Sequence, residues 1–327
     1  MIRDPVGLAF VLIAIVAGVT LFSKTSVGRR FFKFLPVPFY CYFLPILGAT
    51  AGLLPAQSPL YKILSQHVLP PCLILLLLGS PWADLLRLGR QGIVAMGIGS
   101  AGMFLGAVIG YAAIGARLPE NSWMAAGALL GSWTGGSANM MAVKEALNMP
   151  ESLLAPIIIV DTFIAYSWMA LLIALAGSQS KIDLRLNADR RALDRVDPDA
   201  DTRYGASYPF SVTDWLPMIA VAVGCGEAAL YAGKTLAKEI PALNLNAMAW
   251  TVILATTIGI IFSLTPIRHW EKTGASRAGT TILLLLLTSY GAQTHLGAIV
   301  ESPAFVAFGA IMVGVHGLVL VVFGRVF

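Results

Sequence analysis

The chain has 327 residues, 57% of them hydrophobic and 12% charged, with a mean hydropathy of +0.78 and a formal net charge of +5. Apolar stretches of about twenty residues recur from end to end, the length that a roughly 30 Å hydrocarbon core demands, which excludes a soluble globular fold. The basic excess does not call for nucleic acid, because most Lys and Arg residues flank apolar stretches, where the positive-inside rule accounts for them. Cys41, Cys72 and Cys225 lie in apolar stretches without a C-x-x-C spacing, which argues against disulfides and structural zinc.

In chain order the apolar stretches cover residues 5–22, 39–54, 69–86, 91–116, 122–147, 152–176, 214–233, 246–264, 278–296 and 303–327. The first is followed by Lys24, Arg29, Arg30 and Lys33 and carries no small-residue cleavage site, so it reads as a retained helix rather than a signal peptide. Between residues 177 and 213 the composition changes: six basic residues, from Lys181 to Arg203, mix with six acids, from Asp183 to Asp201, as in a solvated connector. This segment divides the chain into two halves.

The halves look related. Residues 72–86 align with 281–295 at an offset of 209, and nearly the same offset sets Asp4 on Asp214 and Pro55 on Pro266. A register that holds at three separated points indicates an internal repeat. The distribution of charge orders the topology. If 122–147 enters and leaves on one side while the other nine stretches cross, 16 of the 22 Lys and Arg residues fall inside; if it crosses, only nine do. The expected architecture is therefore an all-α polytopic membrane protein with inverted repeats. It has a first repeat over 1–176 (five crossings plus a re-entrant hairpin, 122–148), a cytoplasmic connector over 177–213, and a second repeat over 214–327. The N-terminus is expected outside, and a bacterial inner membrane is the simplest location. Adding the offset to the hairpin tip leads past Phe327, so the second repeat is expected without its hairpin and last helix.

The hairpin carries the run GSWTGGSANM, residues 131–140. Each expected arm, Ser122–Leu130 and Met140–Asn148, rises only about 13 Å as a helix, so the tip ends inside the membrane. Backbone groups freed there must be buried in protein or line a watery cavity. Thr134, Gly135, Gly136, Ser137 and Asn139 are candidate substrate- and ion-binding residues: the glycines let a ligand approach the backbone, the side chains can coordinate, and the second arm offers N–H groups to an anion. The alternative is that Gly127, Gly131 and Gly135 form a small-residue ladder on an ordinary helix packed against a neighbour.

Asp161, about ten residues into an apolar stretch, costs several kcal/mol without a partner or water and is the sharpest candidate cation or proton site, with Thr162 beside it. The alternative is a structural acid paired with Lys144 or a backbone amide. Glu227, deep in the sixth crossing, is a further candidate unless it reaches the interface. Lys144 either holds a solute carboxylate or snorkels to the interface. His295 and His316 have no second ligand at helical spacing and read as packing or pore-lining groups.

GSWTGGSANMMAVKEAL (131–147), followed by VDTFIAYSWMALL (160–172), resembles the YjcL-like family of uncharacterised integral membrane proteins, itself similar to sodium-coupled citrate, glutamate and bile-acid symporters and to sodium/proton antiporters. The resemblance implies two inverted repeats, each with a glycine-rich break, and a site where the breaks meet. By position, Gly135, Gly136, Ser137 and Asn139 would be the first break, with Asp161 on the helix after it. The implied function is ion-coupled secondary transport of a small anionic or zwitterionic solute, with Na⁺ near Asp161, or H⁺, as coupling ion. No cofactor is implied, the partners are the solute and the lipid bilayer, and a homodimer is compatible. The competing readings are a membrane scaffold or sensor, and an intramembrane hydrolase with Ser137 as nucleophile and His295 or His316 as base.

Overall fold

A computed structural model describes residues 4–32, 36–80, 89–176, 212–294 and 302–323. Among these residues the fold is helical, without strands. Helix α1 (Pro5–Lys24) starts where Asp4 accepts the Gly7 N–H at 2.7 Å and Pro5 takes the first helical position, a sequence-encoded start. It buries one stripe, Leu8, Leu12, Val16 and Val19, and leaves Val6, Phe10 and Ile13 on the outer face. A short α2 (Ser26–Phe31) and α3 (Val37–Thr50) follow. Helix α4 (Pro59–Leu78) contains a π-helical turn at Leu64–Val68. Then come α5 (Gly89–Ile114), α6 (Ser122–Gly135), α7 (Ser137–Leu147), α8 (Leu154–Ala176), α9 (Val212–Glu239), α10 (Ala247–Leu264), α11 (Ala275–Ala292) and α12 (Ser302–Phe323).

Seven of the described helices are long and apolar enough to cross a membrane: Pro5–Lys24, Pro59–Leu78, Gly92–Arg117, Glu151–Met169, Trp215–Glu239, Ala247–Leu264 and Pro303–Phe323. The protein is an all-α polytopic membrane protein. Two of the nine expected crossings, α3 and α11, fall outside this group. Helix α3 has 14 residues and rises about 21 Å, while α11 opens on Ser276, Arg277, Thr280 and Thr281. Helix α11 is deeply enclosed by its neighbours, and α3 buries one face while Leu44 and Leu47 stay exposed. Helix α3 buries Cys41, Tyr42 and Ile46, and every residue of α11 from Leu286 to Ala292 is buried. A helix screened by other helices need not match the hydrocarbon thickness by itself.

The third crossing also differs from its expected bounds. It begins at Pro59 rather than near residue 69, because Ser58 caps it, Pro59 occupies the first turn, and the polar run Lys62, Ser65, Gln66 and His67 is helical. Hydropathy alone hides such a start; the capping residues reveal it.

Helix α4 is the hub. Helices α9, α10 and α11 all pack on it. Gly226 of α9 faces Pro71, Gly259 of α10 faces Leu77, and Gly279 of α11 faces Leu76, each so closely that an added Cβ would come within 2.9 Å. The Cys72 thiol donates to the Gly279 carbonyl at 3.3 Å. Helix α3 packs on α11, α1 packs on both, and α5 pairs along its length with α12, which also meets α8. Small residues at these crossings let backbones approach, the usual way helices associate where lipid competes for apolar contact. The connector, apart from the start of α9 at Val212, lies outside the described residues.

Candidate functional site

Helices α6 and α7 form a tight antiparallel hairpin. Gly127 faces Leu147 and Val143, Gly131 faces Val143 and the Asn139 carbonyl, and Gly135 faces the Asn139 side chain. Each four-residue step toward the tip on one arm meets a four-residue step on the other. The glycine ladder and the hairpin are thus one feature: the ladder packs against the second arm rather than against a separate neighbour.

The break is narrower than expected. Helix α6 runs through Gly135, α7 starts at Ser137, and Gly136 alone connects them, at φ +86°, ψ −179°. Its carbonyl accepts from Asn139 and Met140, and its own N–H donates to Ser132. Gly131 and Gly135 stay helical because their missing side chains are what admits α7. The arms rise about 21 Å and 16 Å, each short of a hydrocarbon core of about 30 Å.

Gly136 has open space around its Cα but occupies a region essentially reserved for glycine. Gly136→Ala should therefore cost about 1–3 kcal/mol through strain alone. Gly127→Ala meets only flexible side-chain tips, Leu147 at 3.3 Å and Val143 at 3.9 Å, and should be neutral or slightly stabilising. Thermal unfolding of the two variants in detergent measures the contrast.

At the tip, Thr134, Gly135, Gly136 and Asn139 are exposed and Ser137 is partly buried. The Thr134 hydroxyl donates to the Leu130 carbonyl at 2.8 Å, so it serves its own helix. Asp161 lies on α8, which packs against α6 and α12. Its carboxylate accepts from the buried Ser132 hydroxyl at 2.9 Å. The partner of Asp161 is thus Ser132 and not Lys144. Thr162 beside it is partly buried.

Glu227 belongs to a different part of the molecule. It lies on α9 and pairs with Nδ1 of His67 at 2.7 Å, both side chains being nearly half exposed (45% and 42%). His67 sits in the π-turn of α4, a distortion frequent at functional sites, and the sequence reading did not single it out. His316 donates from Nδ1 to the Gly99 carbonyl at 2.9 Å and joins α12 to α5; His295 lies outside the described residues.

Lys144 neither snorkels nor waits for a carboxylate. It is 4% exposed, donates to Glu145 at 2.7 Å and to Glu151, and lies 4.2 Å from the centroid of the Tyr290 ring. This cluster walls a cavity of about 400 Å³ between the start of α4, the end of α7, Glu151 and the end of α11. Among the described residues no group of three or more His, Cys, Asp or Glu side chains is placed to hold a metal ion.

A multi-spanning helical bundle with a glycine-hinged helical hairpin and a serine-held aspartate on a neighbouring apolar helix defines the class: an all-α integral membrane protein. The chain belongs to the family described as protein of unknown function (DUF819), whose model matches residues 11–327. No curated protein and no solved structure matches it.

Proposed function

We propose that the protein is an ion-coupled secondary transporter of a small anionic or zwitterionic solute, working by alternating access, with Na⁺ or H⁺ taken up beside Asp161. The observation that carries this reading is a hairpin of two short helices beside a serine-held aspartate, which we read as a tip ending inside the membrane. Intramembrane acids are costly unless they serve an ion or proton path, and helix breaks at depth are where transporters bind.

Two inverted halves, 1–176 and 214–327 joined through 177–213, belong to the same proposal. The packing supports it, for α3 on α11 is mirrored by α10 on α4, and α1 on α11 by α9 on α4, with corresponding helices near the offset of 209 seen in the sequence. We extend the proposal to kinship with the sodium-coupled symporters and sodium/proton antiporters, to an inner bacterial membrane with the N-terminus outside, and to no enzymatic role.

The test uses the full chain in proteoliposomes on a solid-supported electrode. A jump in Na⁺ or pH should displace charge in wild type, and Asp161→Asn should lose that signal while retaining its melting temperature. Wild-type silence toward both jumps would sink the transport reading and leave a scaffold or sensor.

A further inference from the structure

The cavity beside Lys144 is distinct in character from the apolar cavity between α1, α2 and α3, whose wall includes Ala14, Val19, Phe22 and Phe31. Its lining is polar, with Ser58, Ser65, Gln66, Asn148 and Gln293 among the residues that face it. A polar hollow in a chain this apolar is expensive unless something polar fills it.

Three features define what fits. Charge comes first: the enclosed groups are one cation, Lys144, and two carboxylates, Glu145 and Glu151, which leaves one excess negative charge; Lys62, also on the wall, is exposed and largely screened by solvent. The second is the commitment of Lys144. Its ammonium bonds both carboxylates and faces the Tyr290 ring, so among the described residues of the wall no free buried cation is left to receive an anion. The third is a pair of orphans: Glu151 Oε2 and the Tyr290 hydroxyl, both on residues of the wall, are buried without a hydrogen-bond partner, and Tyr290 is only 1% exposed. Buried polar atoms are rarely left unmatched, and each orphan calls for an explanation.

We infer that this cavity is a binding subsite for the ammonium group of a small solute, and that it rejects free carboxylates. An ammonium brings one positive charge to the excess negative one and three N–H donors, of which one serves Glu151 Oε2 and another the Tyr290 oxygen. The two orphan atoms are enclosed in the wall here, and the solute reaches them when the wall opens, as alternating access requires. The inference deepens the transport reading by giving the cargo a chemical class, and it rests on that reading only for the step from binding to passage.

The test is a binding titration on the detergent-purified full chain, followed by thermal shift, with ethylammonium chloride, sodium acetate and sodium chloride at matched ionic strength. Ethylammonium should stabilise wild type saturably and the two sodium salts should not, because a ligand bound only by the folded state stabilises it by mass action. Glu151→Gln should weaken ethylammonium about tenfold or more, the loss expected when a charge-assisted bond becomes a neutral one. The near-isosteric Tyr290→Phe, which removes only the hydroxyl, should also weaken it and guards against misfolding of the first variant. Acetate binding equal to or better than ethylammonium, an equal response to sodium chloride, or unchanged ethylammonium affinity in both variants would each overturn the inference. Ethylammonium binding without any charge displacement in proteoliposomes would remove the transport reading alone, and acetate preference with intact currents would remove this inference alone.

Discussion

Lys144→Met should destabilise the protein by about 3–5 kcal/mol, the cost of breaking a buried ion pair from one side. Methionine nearly matches the length and volume of lysine, so packing changes little. What is lost is the only cation among the described residues paired with two carboxylates, Glu145 and Glu151, whose side chains are 15% and 31% exposed. Two like charges left in a low-dielectric wall repel each other and cannot recover their hydration. Adding Glu145→Gln and Glu151→Gln to the same chain should recover most of the loss, because a cluster with all its charges removed is often no less stable than the intact one. Thermal unfolding of wild type, single and triple variants in one detergent measures this. A single variant as stable as wild type would show that the cluster is not buried as described.

The second large effect is expected at Gly291. A Cβ there would stand 2.1 Å from the Tyr42 carbonyl oxygen and 3.0 Å from its carbon, both backbone atoms of α3. Neither can rotate away, so α3 and α11 must separate along the crossing that Tyr42 and Thr294 also join, hydroxyl to hydroxyl at 3.2 Å. Gly291→Ala should therefore cost about 3 kcal/mol, at or above the upper end of ordinary overpacking. Gly224→Ala is the control. An added Cβ at Gly224 meets nothing within 4 Å, so the better helix former should leave stability unchanged or raise it. Equal melting temperatures for the two variants would contradict the close α3–α11 approach.

Much of the fold was legible because its signals are local. Asp4 and Pro5 announce α1, the Gly135-Gly136 pair marks the hairpin, and an acid in IIIVDTFIAY declares itself by its surroundings. The extent of the break was misread for a local reason too: glycine is compatible with both a turn and a close helix contact, and only the register between α6 and α7 decides that Gly131 and Gly135 make contacts while Gly136 makes the turn.

The site was less legible where its parts are far apart in the chain. Adjacent Lys144 and Glu145 look like a solvated pair until Tyr290 arrives from α11 to cover the ammonium. His67 and Glu227 are separated by 160 residues, and no periodicity in either helix reveals that α4 and α9 bring them together. The polar run before Leu69 was the one available hint, since a capped helix that carries Ser65, Gln66 and His67 into the membrane needs a polar surface to face.

The cross-packing of the two halves has a consequence for biogenesis. A chain synthesised from its N-terminus delivers α3 and α4 to the bilayer long before their partners α10 and α11 leave the ribosome. During that interval the hub helix has lipid where Gly259 and Gly279 will later sit, and Lys144 with its carboxylates lacks the Tyr290 cover. Assembly is therefore completed only after α11 is inserted, which makes the half-finished chain the state that insertion factors must hold and membrane proteases must judge.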